Sequence, residues 1–169
     1  MKLKNIPQDN ELAWTRAENE YYTFQLADEP ILMHIIKTRH LGLYMVACEY
    51  GDGFETRQIM HTTKAFLEDY YKIRLFKPNM KMAEATKESN TWHQVGSVIQ
   101  TFRTMLAPDE IEKQTIVIHV IKTGFRDKYM VVAEWWFKYD QLQTTEIIQF
   151  LTKDEVEKKY GVQLDEIIS

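Results

Sequence analysis

Two histidine and glutamate pairs recur at the same separation in this chain. His34 precedes Glu49 in one segment, and His119 precedes Glu134 in another. A carboxylate beside an imidazole fixes the ring's orientation and basicity, so such a pair can transfer protons or hold a metal. A histidine within an apolar segment also needs a hydrogen-bond partner, which a neighbouring glutamate supplies. These four residues are therefore candidate catalytic groups. The favoured interpretation is that each glutamate serves the fold, by supplying a hydrogen-bond partner to its histidine. The sequence indicates no metal site and no cofactor.

A lysine and threonine pair follows each histidine. Lys37 and Lys122 occupy equivalent places near the end of the segments that contain His34 and His119. Two lysines related by symmetry could form an anion-binding site. The simpler interpretation is a solvated strand end, since a lysine stem can lie on apolar surface while its ammonium group stays in water.

The segments that carry these residues are copies of one module. Residues 31–50 read ILMHIIKTRHLGLYMVACEY and residues 116–135 read IVIHVIKTGFRDKYMVVAEW. The match extends upstream and downstream in the same order, which indicates an internal tandem duplication. The further matched ranges are 12–24 with 90–102 and 62–75 with 151–164.

Each copy is predicted to contain a helix, three strands and a second helix. Apolar residues recur at intervals of three and four in the first matched range, as on a helix face, and the central ranges are rich in β-branched residues. The fold class expected is therefore α+β, with repeats at 1–75 and 91–169 and a linker at 76–90. We expect one continuous six-stranded antiparallel sheet with a pseudo-two-fold axis, in preference to two sheets packed back to back.

The short loop of each predicted hairpin fixes the pairing of the strands on either side. In this register His34 lies opposite Ala47, with Glu49 one diagonal step away on the same face. The second copy places His119 and Glu134 in the same relation. Diagonal neighbours lie about 7–8 Å apart at the backbone, which long side chains can span. A contact between histidine and glutamate is predicted in both copies.

The copies differ most after the shared glutamate. The second copy continues with Trp135, Trp136, Phe137, Lys138 and Tyr139, whereas the first has a plain turn. Alternation along a strand sends these aromatic residues to both faces, so one face could be exposed. Exposed aromatic residues favour a protein partner, although burial within the core explains them equally well.

Composition disfavours several classes of protein. The net charge of −4 gives no basic excess for nucleic acid, and the single cysteine permits no intramolecular disulfide. We find no membrane-spanning run, no phosphate-binding loop and no protease motif. A cytoplasmic location is expected.

The sequence therefore predicts a non-enzymatic binding or regulatory protein that acts through a protein partner, as an inhibitor, immunity protein or adaptor would. A homodimer is compatible with this role. The first alternative is a small-ligand-binding protein or enzyme that uses a cleft between the repeats, lined by the two His and Glu pairs. The second alternative is a nucleic-acid binder.

Overall fold

The structure, a computed structural model, describes residues 13–26, 31–40, 42–50, 59–81, 92–106, 114–124, 127–137 and 141–165. Within these ranges most residues are in strands. The elements in chain order are β1 (Thr15–Ala17), β2 (Tyr21–Leu26), β3 (Ile31–Lys37), β4 (Leu43–Tyr50), β5 (Ile59–Thr63), α1 (Lys64–Tyr71), β6 (Trp92–Val95), β7 (Ile99–Leu106), β8 (Gln114–Lys122), β9 (Tyr129–Phe137), β10 (Gln141–Leu151) and α2 (Lys153–Tyr160).

The predicted α+β fold class is wrong, because the first element of each half is a pair of strands. The range 12–24 was expected to be helical and instead contains β1 and most of β2; the range 90–102 contains β6 and the start of β7. The protein is thus mostly β, and the predicted helix, three strands and helix unit does not occur. Each half has five strands followed by one short helix.

A break in strand alternation explains the error. In the second half, residues 96–98 connect β6 to β7 and belong to neither strand. This connection resets the two-residue period, so the apolar residues of two short strands fall at intervals of three and four. The result imitates the spacing of a helix face, although Thr, Ile and Val favour strands.

The expected continuous sheet is also replaced by two five-stranded antiparallel sheets. The first sheet has the order β5-β4-β3-β2-β6 and the second has the order β1-β7-β8-β9-β10. The halves therefore exchange their first strands: β1 pairs with β7, and β6 pairs with β2. Each exchanged strand completes the sheet that is otherwise built by the other half.

Tryptophans beside the exchanged strands reinforce this connection. Trp14, from the first half, meets the ring of Tyr160 in α2 edge to face at 5.4 Å between centroids. Trp92, from the second half, meets Tyr71 in α1 in the same way at 5.8 Å. Such aromatic pairs stabilise a fold by about 0.5–1.5 kcal/mol beyond the area they bury.

The core consists of three apolar clusters. One apolar cluster joins the first sheet to Leu67 of α1, and another joins the second sheet to Val156 of α2. The third cluster lies between the sheets and includes Ile36 and Met45 of the first sheet and Ile121 and Met130 of the second. The layers thus run helix, sheet, sheet, helix, and the inner faces of both sheets meet.

The predicted closing helices are confirmed, and their caps are local. The Thr63 hydroxyl accepts a hydrogen bond from the Phe66 N–H, and Thr152 forms a reciprocal capping box with Glu155. Gly161 ends α2 with a positive φ of 66°, which a glycine adopts without steric cost.

The strand exchange predicts that neither half is a folded monomer by itself. A fragment of residues 1–81 lacks β6 and the inner face of the second sheet, and a fragment of residues 82–169 lacks β1. We expect each fragment alone to lack cooperative monomeric unfolding, and the mixture to form a 1:1 complex with a native near-UV spectrum. Circular dichroism measures the unfolding and the near-UV spectrum, and analytical ultracentrifugation measures the stoichiometry of the complex. A folded monomeric fragment would contradict the exchange.

Candidate functional site

The predicted contact between histidine and glutamate is present in both halves, and a threonine extends it. In the first half, Thr23 Oγ1 lies 3.0 Å from His34 Nδ1, and His34 Nε2 lies 2.7 Å from Glu49 Oε2. The hydroxyl, the imidazole and the carboxylate thus form a continuous hydrogen-bonded chain.

The second half repeats this chain with equivalent residues. Thr101 Oγ1 lies 2.9 Å from His119 Nδ1, and His119 Nε2 is hydrogen-bonded to Glu134 Oε2. We call the two groups the first triad and the second triad. Both histidines and both threonines are buried.

Strand register places the triads on the inner faces of the sheets. His34 is paired with Ala47 on one side and with Thr23 on the other, and Glu49 is paired with Leu32. The corresponding pairs of the second triad are His119 with Val132 and with Thr101, and Glu134 with Val117. The register expected from the short hairpin loops is therefore confirmed.

The hydrogen-bond pattern of each triad assigns a tautomer to its histidine. A carboxylate accepts hydrogen bonds, so Nε2–H is the donor to the glutamate. Nδ1 of a neutral imidazole is then an acceptor, and the threonine hydroxyl donates to it. Both ring nitrogens are engaged, so neither histidine presents a bare nitrogen to a ligand.

A turn of the second sheet closes the first triad. The Gly124 N–H donates to Glu49 Oε1 over 2.9 Å, so both oxygens of this carboxylate have donors. The turn comes close here, since a Cβ at this position would lie 3.1 Å from Leu32 Cδ1 and 3.6 Å from Glu49 Oε1. The first triad is therefore a fully satisfied structural network.

The second triad is open at the corresponding place. Glu134 Oε1 is buried and has no hydrogen-bond partner among the described residues. The residue equivalent to Gly124 is Arg39. A cavity of about 280 Å³ remains here, and Thr101, His119 and Glu134 are among the residues that line it.

Positive side chains surround the outer part of this cavity. Lys37 and Arg39 come from the end of β3, and Arg103 comes from β7 of the other sheet. Arg39 and Arg103 are exposed, Lys37 is half-buried, and Glu134 is only 1% exposed. The exposed Glu18 also lies on the lining. The cavity thus has a carboxylate at its buried end and an excess of cations nearer to solvent.

The two predicted anion-binding lysines do not share one site. Lys37 lines the cavity of the second triad, whereas Lys122 lines a different cavity with Lys153, Asp154 and Asp165. Burial lowers the pKa of Lys122, and the charges of Asp127 and Glu49 oppose that shift. The Lys122 ammonium group donates to the Thr123 carbonyl, so it is held at its own strand end.

The aromatic segment after Glu134 is largely turned inward. Trp136 is fully buried, Trp135 packs against the core beneath α2, and Phe137 is half-buried. Lys138 and Tyr139 lie outside the described residues. Trp136 continues the inner face of the second sheet, so it cannot itself form an exposed contact with a partner.

Sequence reasoning missed the residues that distinguish the two triads. Arg39 aligns with Gly124 in the repeat, and this glycine-to-arginine difference was the available signal. Arg103 carried no signal, because it was placed on a predicted helix. His61 has no counterpart histidine in the other copy, so the repeat gave no reason to select it; burial lowers its pKa, and the charge of Glu134 opposes the shift.

Comparison with known proteins gives no match to a family model, a curated protein or a solved structure. Among the described residues there is no cluster of three or more histidine, cysteine or acidic side chains suited to a metal ion. No helix in the described ranges combines the length and apolarity needed to cross a membrane.

The difference between the triads predicts unequal effects of removing their hydroxyl groups. Thr23→Val leaves His34 Nδ1 buried without a donor, which costs about 1–3 kcal/mol of unfolding free energy. Thr101→Val should cost less, because water in the adjacent cavity can donate to His119 Nδ1. Urea denaturation of both variants measures the two values. A loss for Thr101→Val as large as that for Thr23→Val would contradict an open second triad.

Proposed function

We propose that this protein binds a small anionic ligand in the cavity of the second triad. The observation that carries the proposal is the asymmetry between the triads. The same three residue types occur in both halves, yet among the described residues it is the second triad that adjoins a cavity lined by Lys37, Arg39 and Arg103. A duplicated fold does not require this difference.

The available cations support an anion as the ligand. Within the described residues, neither Lys37 nor Arg103 forms a side-chain hydrogen bond or an ion pair. Hydrogen bonds to charged groups contribute about 1.5–3 kcal/mol each, and a guanidinium group matches the geometry of a carboxylate or phosphate. The two residues come from different sheets, so an anion between them would also bridge the sheets.

The proposal is for binding without chemical conversion. Both nitrogens of His119 are engaged, one by Thr101 and the other by Glu134. The closed first triad has the same internal bonds, so these bonds serve the fold as well. A non-enzymatic role is therefore the better-supported form of the ligand-binding alternative.

Inorganic phosphate and acetate are suitable probes of the cavity. We expect Arg103→Ala and Lys37→Ala each to weaken phosphate binding by about tenfold or more, since tenfold corresponds to about 1.4 kcal/mol. Titrations followed by ¹H–¹⁵N NMR give the dissociation constants and show which amides respond.

Lys122→Ala is the matched control, because Lys122 is equivalent to Lys37 in the repeat but lines another cavity. It should leave phosphate affinity nearly unchanged. Equal weakening by Lys122→Ala, or no response of the amides around Glu134, would show that general surface charge and not this cavity attracts the anion.

A second candidate function is protein interaction through α1, and the occupant we propose is a second copy of the chain. Phe66 and Tyr70 are exposed and stack at 5.3 Å between ring centroids. The equivalent residues on α2 are Glu155 and Lys159, so the fold does not require aromatic residues there. The neighbouring Asp69 and Lys72 form an ion pair, so two such surfaces can meet without strong repulsion.

Tyr70→Lys introduces into α1 the residue type that α2 has at the equivalent position, Lys159. The substitution should abolish self-association without loss of unfolding stability, because Tyr70 is 66% exposed. Sedimentation equilibrium over a concentration series measures the association. A wild-type chain that remains monomeric at high concentration would end this proposal.

The remaining expectations rest on composition. A net charge of −4 and the separation of Lys37 from Lys122 disfavour nucleic acid as the ligand. The single cysteine supports a cytoplasmic location, where thiols stay reduced.

A further inference from the structure

We infer that the ligand of this cavity is a zwitterion, with an anionic group for Arg103 and Lys37 and an ammonium group that donates to Glu134. The inference rests on the proposed function and names the class of ligand. It comes from Glu134, a residue of the cavity lining whose buried Oε1 has no donor among the described residues.

Glu134 Oε1 requires a donor that the described residues do not supply. A buried polar atom without a partner costs about 1–3 kcal/mol, and more when it is charged. The first triad shows how the fold meets this requirement, since Gly124 N–H donates to the equivalent oxygen of Glu49. The two triads therefore differ at this oxygen: Glu49 Oε1 receives a backbone hydrogen bond, whereas Glu134 Oε1 does not.

Arg39 occupies the position equivalent to Gly124 and lines the cavity of the second triad. The Gly124 turn comes so close that an added Cβ would lie 3.1 Å from the side chain of Leu32. Arg39 carries a Cβ and a long side chain at the equivalent position, and Glu134 Oε1 has no hydrogen-bond partner among the described residues. The arginine at this position also brings a cation to the cavity lining.

The arrangement of charge selects an ammonium group over a neutral donor. Glu134 is buried at one end of the cavity, whereas Arg103 is exposed. An ammonium group satisfies the oxygen and also offsets its charge, and charge-assisted hydrogen bonds are roughly twice as strong as neutral ones. A ligand with opposite charges at its two ends matches both ends of the cavity.

The size of the cavity suits a small molecule. Its volume of about 280 Å³ is roughly nine times the 30 Å³ that one water occupies in the liquid. An amino acid or an aminoalkyl phosphate fits within this volume together with some water. The carboxylate, sulfonate and phosphate forms share the same chemistry, so the test includes each of them.

The test compares ligand pairs that differ only in the amine. The pairs are β-alanine with propionate, taurine with ethanesulfonate, and phosphoethanolamine with ethyl phosphate. We expect the amine-bearing member of at least one pair to bind the wild-type protein tenfold or more tightly than its partner. ¹H–¹⁵N NMR titration gives the constants and locates binding at the amides around Glu134.

Glu134→Gln tests the role of the carboxylate. The variant should bring the affinity ratio of that pair close to one, while the amine-free anion still binds. Glu49→Gln removes a carboxylate from the closed triad and is the matched control, which should retain the ratio. If Glu134→Gln does not fold, the comparison of each pair on the wild-type protein still decides the inference.

The outcomes distinguish a failure of this inference from a failure of the proposed anion binding. If both members of every pair bind equally and Arg103→Ala weakens both, the anion site stands and the zwitterion is wrong. If no member binds near Glu134, the proposed function itself fails. Retention of the amine preference in Glu134→Gln would also overturn the inference, because the preference would then arise elsewhere.

Discussion

The exchange of first strands between the halves is the constraint on which the rest of the structure depends. β1 completes the second sheet and β6 completes the first, so each sheet contains backbone from both halves. The two inner faces are thereby held against each other, with the apolar cluster around Ile36 and Ile121 between them. The buried triads and the cavity exist because these faces meet, since a histidine on a single exposed sheet would hydrogen-bond to water.

The repeat lets one half of the molecule serve as a reference for the other. Both halves build the same chain of threonine, histidine and glutamate, and both use a glutamate in the closing helix to accept a backbone N–H, at Leu75 and Leu164. Features shared in this way are explained by the fold. Features present in only one half need a separate explanation, and the open carboxylate of Glu134 and the exposed aromatic pair on α1 are the clearest of these.

Much of the local structure could be predicted from sequence. The hairpins, the pairing of His34 with Ala47 and the capping box at Thr152 follow from loop length, alternation and cap chemistry, which act over a few residues. The helices expected before β3 and β8 could not be distinguished from paired short strands, because periodicity alone does not reveal a break such as residues 96–98. The buried state of Trp136 depended on which face of its strand meets the other sheet.

The sequence alone determined that the chain is a repeat and that each histidine contacts its glutamate, because strand register and alternation place these groups on one face. Only the tertiary structure decided which triad is closed and which adjoins a cavity. At Gly124 a turn of the second sheet donates to the carboxylate of the first, whereas Glu134 has no donor for its Oε1 among the described residues. Such a contact is set by the packing of residues far apart in the chain, which no local pattern records.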